Sequence, residues 1–151
     1  QHRTRESDGA LLKMLRSYSA LPIEEPEDKA RITPGHIYLA PADYHLLVDS
    51  GSFALATEAR VCHARPSIDV LFESAAFAYR SRLVGVILTG ASRDGAEGAR
   101  RLKERGGTLV VQDPSTAEHP VMPNAALATA TADQVLKLEE IAPFLNRCAA
   151  R

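Results

Sequence analysis

The residues best placed to do chemistry lie in the stretch Val84-Gly85-Val86-Ile87-Leu88-Thr89-Gly90-Ala91-Ser92-Arg93-Asp94-Gly95. An apolar run ends at Thr89-Gly90, a turn of small residues follows, and a helix-like segment opens at Asp94. In open α/β sheets, ligands and reacting groups gather beyond the carboxyl ends of the strands. The turn therefore sets a hydroxyl, Ser92, and a carboxylate, Asp94, where an active site is expected. Asp94 has two readings. Asp is favoured at a helix N-terminus, so it could cap the helix that it precedes. Alternatively it accepts the Nδ1–H of a histidine and stabilises the imidazolium while that histidine works as a base.

Ser92 sits in a strand-turn-helix context that suits a nucleophile elbow. That motif is G-x-S-x-G, however, and Gly90-Ala91-Ser92-Arg93-Asp94 ends in Asp. Ser92 is therefore read as a turn residue, and a small-ester hydrolase built on it is the weaker alternative. Gly90, Gly95 and Gly98 do not fit a dinucleotide fingerprint, no G-K-[ST] follows, and a carboxylate in the turn would repel phosphate. The histidines are His2, His36, His45, His63 and His119. None falls in an H-E-x-x-H or Cys/His spacing, so no metal site is expected. From spacing alone each reads as a surface or satisfied core residue.

The elements that must position the turn follow from periodicity. Ser7 and Asp8 precede Leu11, Leu12, Leu15 and Tyr18, the pattern of a capped amphipathic helix that ends before Pro22. Residues 23–34 read as a short strand and loop. Residues 37–40, 45–49 and 53–57 read as strands, with Ser50-Gly51-Ser52 as a hairpin turn. A helix follows Pro66-Ser67, with Ile68, Leu71, Phe72, Ala75, Ala76 and Tyr79 on one face. The unbroken apolar run 83–88 predicts a strand buried on both faces. A helix over 94–105 stops at Gly106-Gly107, a strand covers 108–112, and a loop holds Pro114, Pro120 and Pro123. A short helix over 124–129, a strand over 135–138 and a last helix over 139–148 complete the chain. The alternation implies an α/β fold: a doubly wound, mostly parallel sheet flanked by helices, with a small antiparallel excursion.

The composition, 45% hydrophobic and 25% charged over 151 residues, is that of an ordinary globular domain with a real core. A net charge of −1 gives no electrostatic footprint for nucleic acid. No apolar run approaches the length of a membrane span, so no membrane insertion is expected. The start, Gln1-His2-Arg3-Thr4-Arg5, has no apolar signal region. Cys62 and Cys148 lack a CxxC spacing and read as reduced thiols, in keeping with a cytoplasmic location.

Five segments, in order, carry a resemblance. They are Pro34-Gly35-His36-Ile37-Tyr38-Leu39-Ala40-Pro41-Ala42-Asp43-Tyr44-His45, Arg65-Pro66-Ser67-Ile68-Asp69-Val70-Leu71-Phe72-Glu73-Ser74-Ala75-Ala76, Leu88-Thr89-Gly90-Ala91-Ser92-Arg93-Asp94-Gly95-Ala96-Glu97-Gly98, Gln112-Asp113-Pro114 and Met122-Pro123. Together they resemble the methylesterase domain of CheB-type chemotaxis proteins over essentially the whole chain, residues 1–151. The resemblance implies a doubly wound α/β fold and a Ser-His-Asp triad with no metal or cofactor. It implies hydrolysis of glutamate methyl esters on bacterial chemoreceptors, with deamidation of certain receptor glutamines, in chemotaxis signal transduction. Many members carry a phosphorylated receiver domain in front.

Asp94 matches the triad aspartate in the family's L-T-G-x-x-x-D-G pattern. His2 matches the triad histidine, which typically follows a Gln as it follows Gln1 here. Gly90, Ala91 and Met122 match the oxyanion and substrate-pocket positions, although the family often has Met where this chain has Ala91. The family's nucleophile lies in an A-S-T-G-G loop after the first strand, and residues 1–151 contain no such loop. The resemblance thus implies a first strand, a first helix and the serine upstream of Gln1. The alternative is a non-catalytic receptor-binding or signalling domain that keeps the fold.

Overall fold

The computed structural model describes residues 2–3 and 9–149. The expected caps Ser7 and Asp8, like Gln1, lie outside the described residues. Helix α1 (Ala10–Tyr18) follows, and Ser19 leaves it in extended conformation before Pro22. Strands β1 (Ile23–Glu24) and β2 (Ile37–Tyr38) pair in parallel. Strands β3 (His45–Asp49) and β4 (Ser52–Ala56) form the antiparallel hairpin. Its two linking residues, Ser50 and Gly51, both take positive φ, 48° and 86°. That is the turn whose twist matches two right-twisted strands.

Helix α2 (Ile68–Tyr79) leads to β5 (Val84–Ile87), and α3 (Ala96–Glu104) crosses from there to β6 (Thr108–Gln112). Helix α4 (Val121–Thr129) crosses on to β7 (Gln134–Leu136), and α5 (Leu138–Ala149) closes the described chain. Strands β5, β6 and β7 lie side by side in that order, all parallel. The parallel crossovers and the antiparallel hairpin are the α/β arrangement implied by the alternation.

The core gathers where α2, α3 and α4 meet the sheet, around Ala76, Ile87, Ala99, Leu102, Leu109, Val111, Met122 and Ala126. Leu109, Val110 and Val111 are wholly buried because β6 has a strand on each side. Strand β5 departs from the expected two-sided burial. Gly85 and Ile87 are buried, whereas Val84 and Val86 are half-buried and Leu88 is 41% exposed. Among the described residues β5 pairs with β6 on one edge only, which leaves its second face and second edge less covered.

Helix α4 begins at Val121, three residues before the expected 124. Pro123 is tolerated there because the first turn of a helix has no use for its missing N–H. Helix α3 stops as its sequence implies: Gly107 N–H bonds Leu102 O at 3.0 Å and Gly106 N–H bonds Lys103 O at 3.0 Å, the paired bonds of a glycine-terminated helix.

Candidate active site

Asp94 lies between β5 and α3, and its side chain is fully buried. It does not cap α3, whose N-cap is Gly95. Its carboxylate instead sits under the N-terminus of α2. Oδ2 accepts the Ile68 N–H at 2.7 Å, while Oδ1 accepts the Asp69 N–H at 3.0 Å and the Ser67 hydroxyl at 2.7 Å. The positive end of α2 thus faces this charge. The remaining approach to Oδ2 is taken by His2 Nε2 at 2.6 Å. Burial, the largest single influence, pushes the Asp94 carboxyl up. The hydrogen bonds from Ile68, Ser67, Asp69 and His2 outweigh it and hold Asp94 below the usual carboxylate range.

The expectation that Asp94 caps the helix it precedes is thus corrected. Asp94 is a helix cap, but of a helix that starts 26 residues earlier, and it also receives a histidine. One detail differs: the bond comes from Nε2, not from Nδ1. Nε2 stands farther from the His2 backbone, so a carboxylate recessed beneath a helix end is met by the far end of the ring.

Asp69 makes the return contact. Its Oδ1 accepts the N–H groups of Gly95 at 2.9 Å and Gly98 at 2.7 Å, capping α3 in turn. This reach depends on Gly98, where a Cβ would lie 2.7 Å from Phe72 Cβ and 3.0 Å from Asp69 Cα. Burial first, and then repulsion from Asp94, raise the Asp69 carboxyl despite those two bonds.

The turn itself is pinned from the far side. Thr89 N–H donates to the buried Gln112 side chain at 2.9 Å, and Thr89 Oγ1 accepts the His119 N–H at 2.8 Å. Gly90 N–H donates to His119 O at 2.9 Å, and Gly90 O accepts the Met122 N–H at 2.9 Å. Gly90 is thus not an oxyanion donor, because its N–H already has an acceptor. It serves instead to admit Met122, whose Cε and Sδ would lie 2.7 and 2.9 Å from a Cβ at that position. Among the described residues the Ala91 N–H has no acceptor. Ser92 Oγ accepts the Asp94 N–H at 3.1 Å, a local turn contact.

Two hollows flank the turn, and His2 and Ala91 border both. One, of about 430 Å³, has an apolar floor of Ile68, Val86, Leu88 and Met122. The other, of about 900 Å³, is bounded by arginines and histidines. Cys62, Asp69 and Asp94 bring ligand-type atoms within 4.8 Å of one another. This set suits a metal poorly: both Asp94 oxygens and Asp69 Oδ1 already accept N–H or O–H donors. Burial, Asp69 and Asp94 all raise the Cys62 thiol and oppose the thiolate a metal requires. Of the other histidines, His45 is buried with Nε2 on Ala59 O at 3.1 Å, and His119 is exposed.

The sequence model of the CheB methylesterase family matches residues 1–145. This chain belongs to the CheB methylesterase family. A relative from Leptospira interrogans, provisionally named protein-glutamate methylesterase/protein-glutamine glutaminase, is 46% identical over 97% of this chain and 77% of its own length. A protein-glutamate methylesterase/protein-glutamine glutaminase from Caulobacter vibrioides is 39% identical over 96% of this chain. This chain spans 43% of the Caulobacter protein. The crystal structure of the Thermotoga maritima CheB methylesterase catalytic domain superposes with a TM-score of 0.89 at 34% identity, covering 96% of this chain and 79% of that one.

In this CheB methylesterase domain, sequence reading singled out His2, Asp94, Gly90, Ala91 and Met122, and the fold brings all five to one turn. It missed Ser67, Asp69 and Gln112. A polar residue closing the apolar run Thr108-Leu109-Val110-Val111-Gln112 was the available signal for Gln112. Ser67 and Asp69 look like ordinary helix-start residues, and nothing local shows that their partner is Asp94.

Proposed function

We propose that residues 1–151 form the histidine- and aspartate-bearing part of a methylesterase that hydrolyses glutamate methyl esters on bacterial chemoreceptors and deamidates receptor glutamines. The observation that carries this reading is the 2.6 Å contact between His2 and a buried, ionised Asp94 beside an open hollow. A serine upstream of Gln1 attacks the ester carbonyl, and its proton passes to His2. With Nε2 committed to Asp94, Nδ1 is the nitrogen that carries it. The Ala91 N–H donates to the tetrahedral oxyanion, a type of contact worth about 3–4 kcal/mol. Collapse breaks the C–O bond to the methoxy group, which takes the proton from His2 and leaves as methanol. Water then attacks the acyl-serine, passes its proton through His2 back to the serine oxygen, and frees the glutamate.

Asp94 positions the imidazole and balances its charge throughout, and stays ionised itself. That β5 pairs on one edge only among the described residues supports an upstream strand beside it. The greater length of the Caulobacter relative leaves room for a receiver domain in front. Among the described residues no helix is long and apolar enough to cross a membrane, and the site is proposed to work on the cytoplasmic part of its receptor.

The test is methanol release from methylated receptor by the full-length protein. Asp94→Asn is expected to lower kcat by at least about a thousandfold, and His2→Gln by a similar factor. Receptor binding without methanol release by the wild type would overturn the reading in favour of a non-catalytic receptor-binding domain.

A further inference from the structure

The hollow on the Arg93 side of the turn carries a charge pattern that ester hydrolysis alone does not require. Its volume is about 900 Å³, and His2, Arg3, Arg60, His63, Arg65 and Arg93 border it, with no Asp or Glu among the described residues that line it. In a chain of net charge −1 this concentration is local. Two of the arginines are committed to the fold. Arg3 pairs with Glu25 and donates to Ala40 O at 3.1 Å. Arg65 holds Asp43 Oδ1 at 2.8 Å and the backbone carbonyls of Thr57 and Glu58 at 2.6 and 2.9 Å. The other two are not. Arg93 is exposed and has no carboxylate partner among the described residues. Arg60 is 61% exposed and reaches Asp43 Oδ1 only at 3.8 Å, an oxygen Arg65 already holds.

We propose that Arg93 and Arg60 bind carboxylate side chains that flank the reacting glutamate ester, so that this site selects acidic segments of its substrate. The proposal rests on the methylesterase reading, which places the ester at His2. Because His2 and Ala91 border both hollows, a polypeptide whose ester reaches His2 lays its neighbouring residues towards Arg93. On a helical substrate, residues three and four positions from the ester share its face. A guanidinium offers a fork of donors matched to a carboxylate. Exposed pairs of this kind govern partner choice and respond to salt.

The test uses the full-length protein and two helical peptides, each with one glutamate methyl ester. One carries glutamates three and four positions away on either side, and the other carries glutamines there. Methanol release is measured with kcat and KM separated, at low and high salt. The wild type is expected to show a KM about tenfold lower for the acidic peptide, with a gap that narrows at high salt. The double variant Arg60→Glu, Arg93→Glu is expected to reverse the preference. Fluorescence anisotropy of the two labelled peptides gives the same comparison independently of turnover. Equal KM and equal binding for both peptides in the wild type, or an unchanged preference in the double variant, overturns the proposal. A wild type that releases methanol neither from the peptides nor from methylated receptor removes the methylesterase reading itself, and that result is distinct from hydrolysis of both peptides without preference.

Discussion

Asp94 caps the helix that contains Asp69, and Asp69 caps the helix that Asp94 leads into. Asp94 accepts the N–H groups of Ile68 and Asp69 at the start of α2, and Asp69 Oδ1 accepts those of Gly95 and Gly98 at the start of α3. Each negative charge thus faces the positive end of the other's helix. The carboxylate that meets His2 is therefore held by the start of α2, while its backbone leads into α3. The exchange is unequal. Asp94 also receives Ser67 and His2 and is held ionised, whereas burial and the neighbouring charge raise Asp69.

The exchange requires α2 and α3 to meet at Gly98. In Gly98→Ala the new methyl would lie 2.7 Å from Phe72 Cβ and 3.0 Å from Asp69 Cα, atoms that cannot swing aside. The helices must part, and the expected loss is about 1–3 kcal/mol in urea unfolding. Methanol release should fall as well, because Asp69 and Asp94 lose their shared frame. A variant as stable and as active as the wild type would show that the contact has slack.

The two carboxyls give opposite pH dependences. Asp94 is depressed in the folded protein, so its ionised form contributes stability that is fully present above about pH 4 and lost as pH falls through the folded value. Asp69 is raised, so its ionisation opposes folding, and lowering the pH through its folded value relieves that strain. Because the Asp94 charge also raises Asp69, the clean comparison is Asp69→Asn against the double variant Asp69→Asn, Asp94→Asn, whose stability difference is therefore expected to shrink as pH falls below about pH 4. Urea unfolding of both proteins across that range checks it, and a difference that grows with acid would contradict the assigned direction.

Much of the chain's order was legible in local signals. The hairpin at Ser50-Gly51, helix α2 after Ser67 and the stop of α3 at Gly106-Gly107 each follow from spacing and turn chemistry. The partner of Asp94 was not legible this way. His2 lies 92 residues from it, and periodicity carries no information at that separation; the pairing came from the resemblance. The same separation hides which helix Asp94 caps, since capping grammar reads only the residues that follow and α2 precedes it. Strand β5 looked two-sided because an apolar run cannot report which edge or face is left uncovered.

Gln112 ties the sheet to the turn. Its Oε1 accepts the Thr89 N–H at 2.9 Å and its Nε2 donates to Thr116 O at 3.2 Å, all from a wholly buried side chain. Gln112→Leu strands both partners and is expected to cost about 1–3 kcal/mol in stability. In the full-length enzyme it should lower kcat more than it raises KM, because Thr89 leads directly into Ala91, the proposed oxyanion donor. Gln112→Glu keeps the acceptor but loses the donor, and should fall between the two. Equal kcat in all three proteins would show that the turn holds its shape without this residue.

Ser92 tests where the nucleophile resides. Its hydroxyl accepts the Asp94 N–H at 3.1 Å, and that bond closes the turn ahead of α3. Replacing it with alanine removes one such contact, worth about 0.5–1.5 kcal/mol. Full-length Ser92→Ala is therefore expected to be slightly less stable, to release methanol at close to the wild-type rate and to remain labelled by a fluorophosphonate. If labelling disappears with the hydroxyl, Ser92 is the reacting serine. The upstream serine would then be unnecessary, and the His2–Asp94 pair would have to serve a nucleophile on the turn itself.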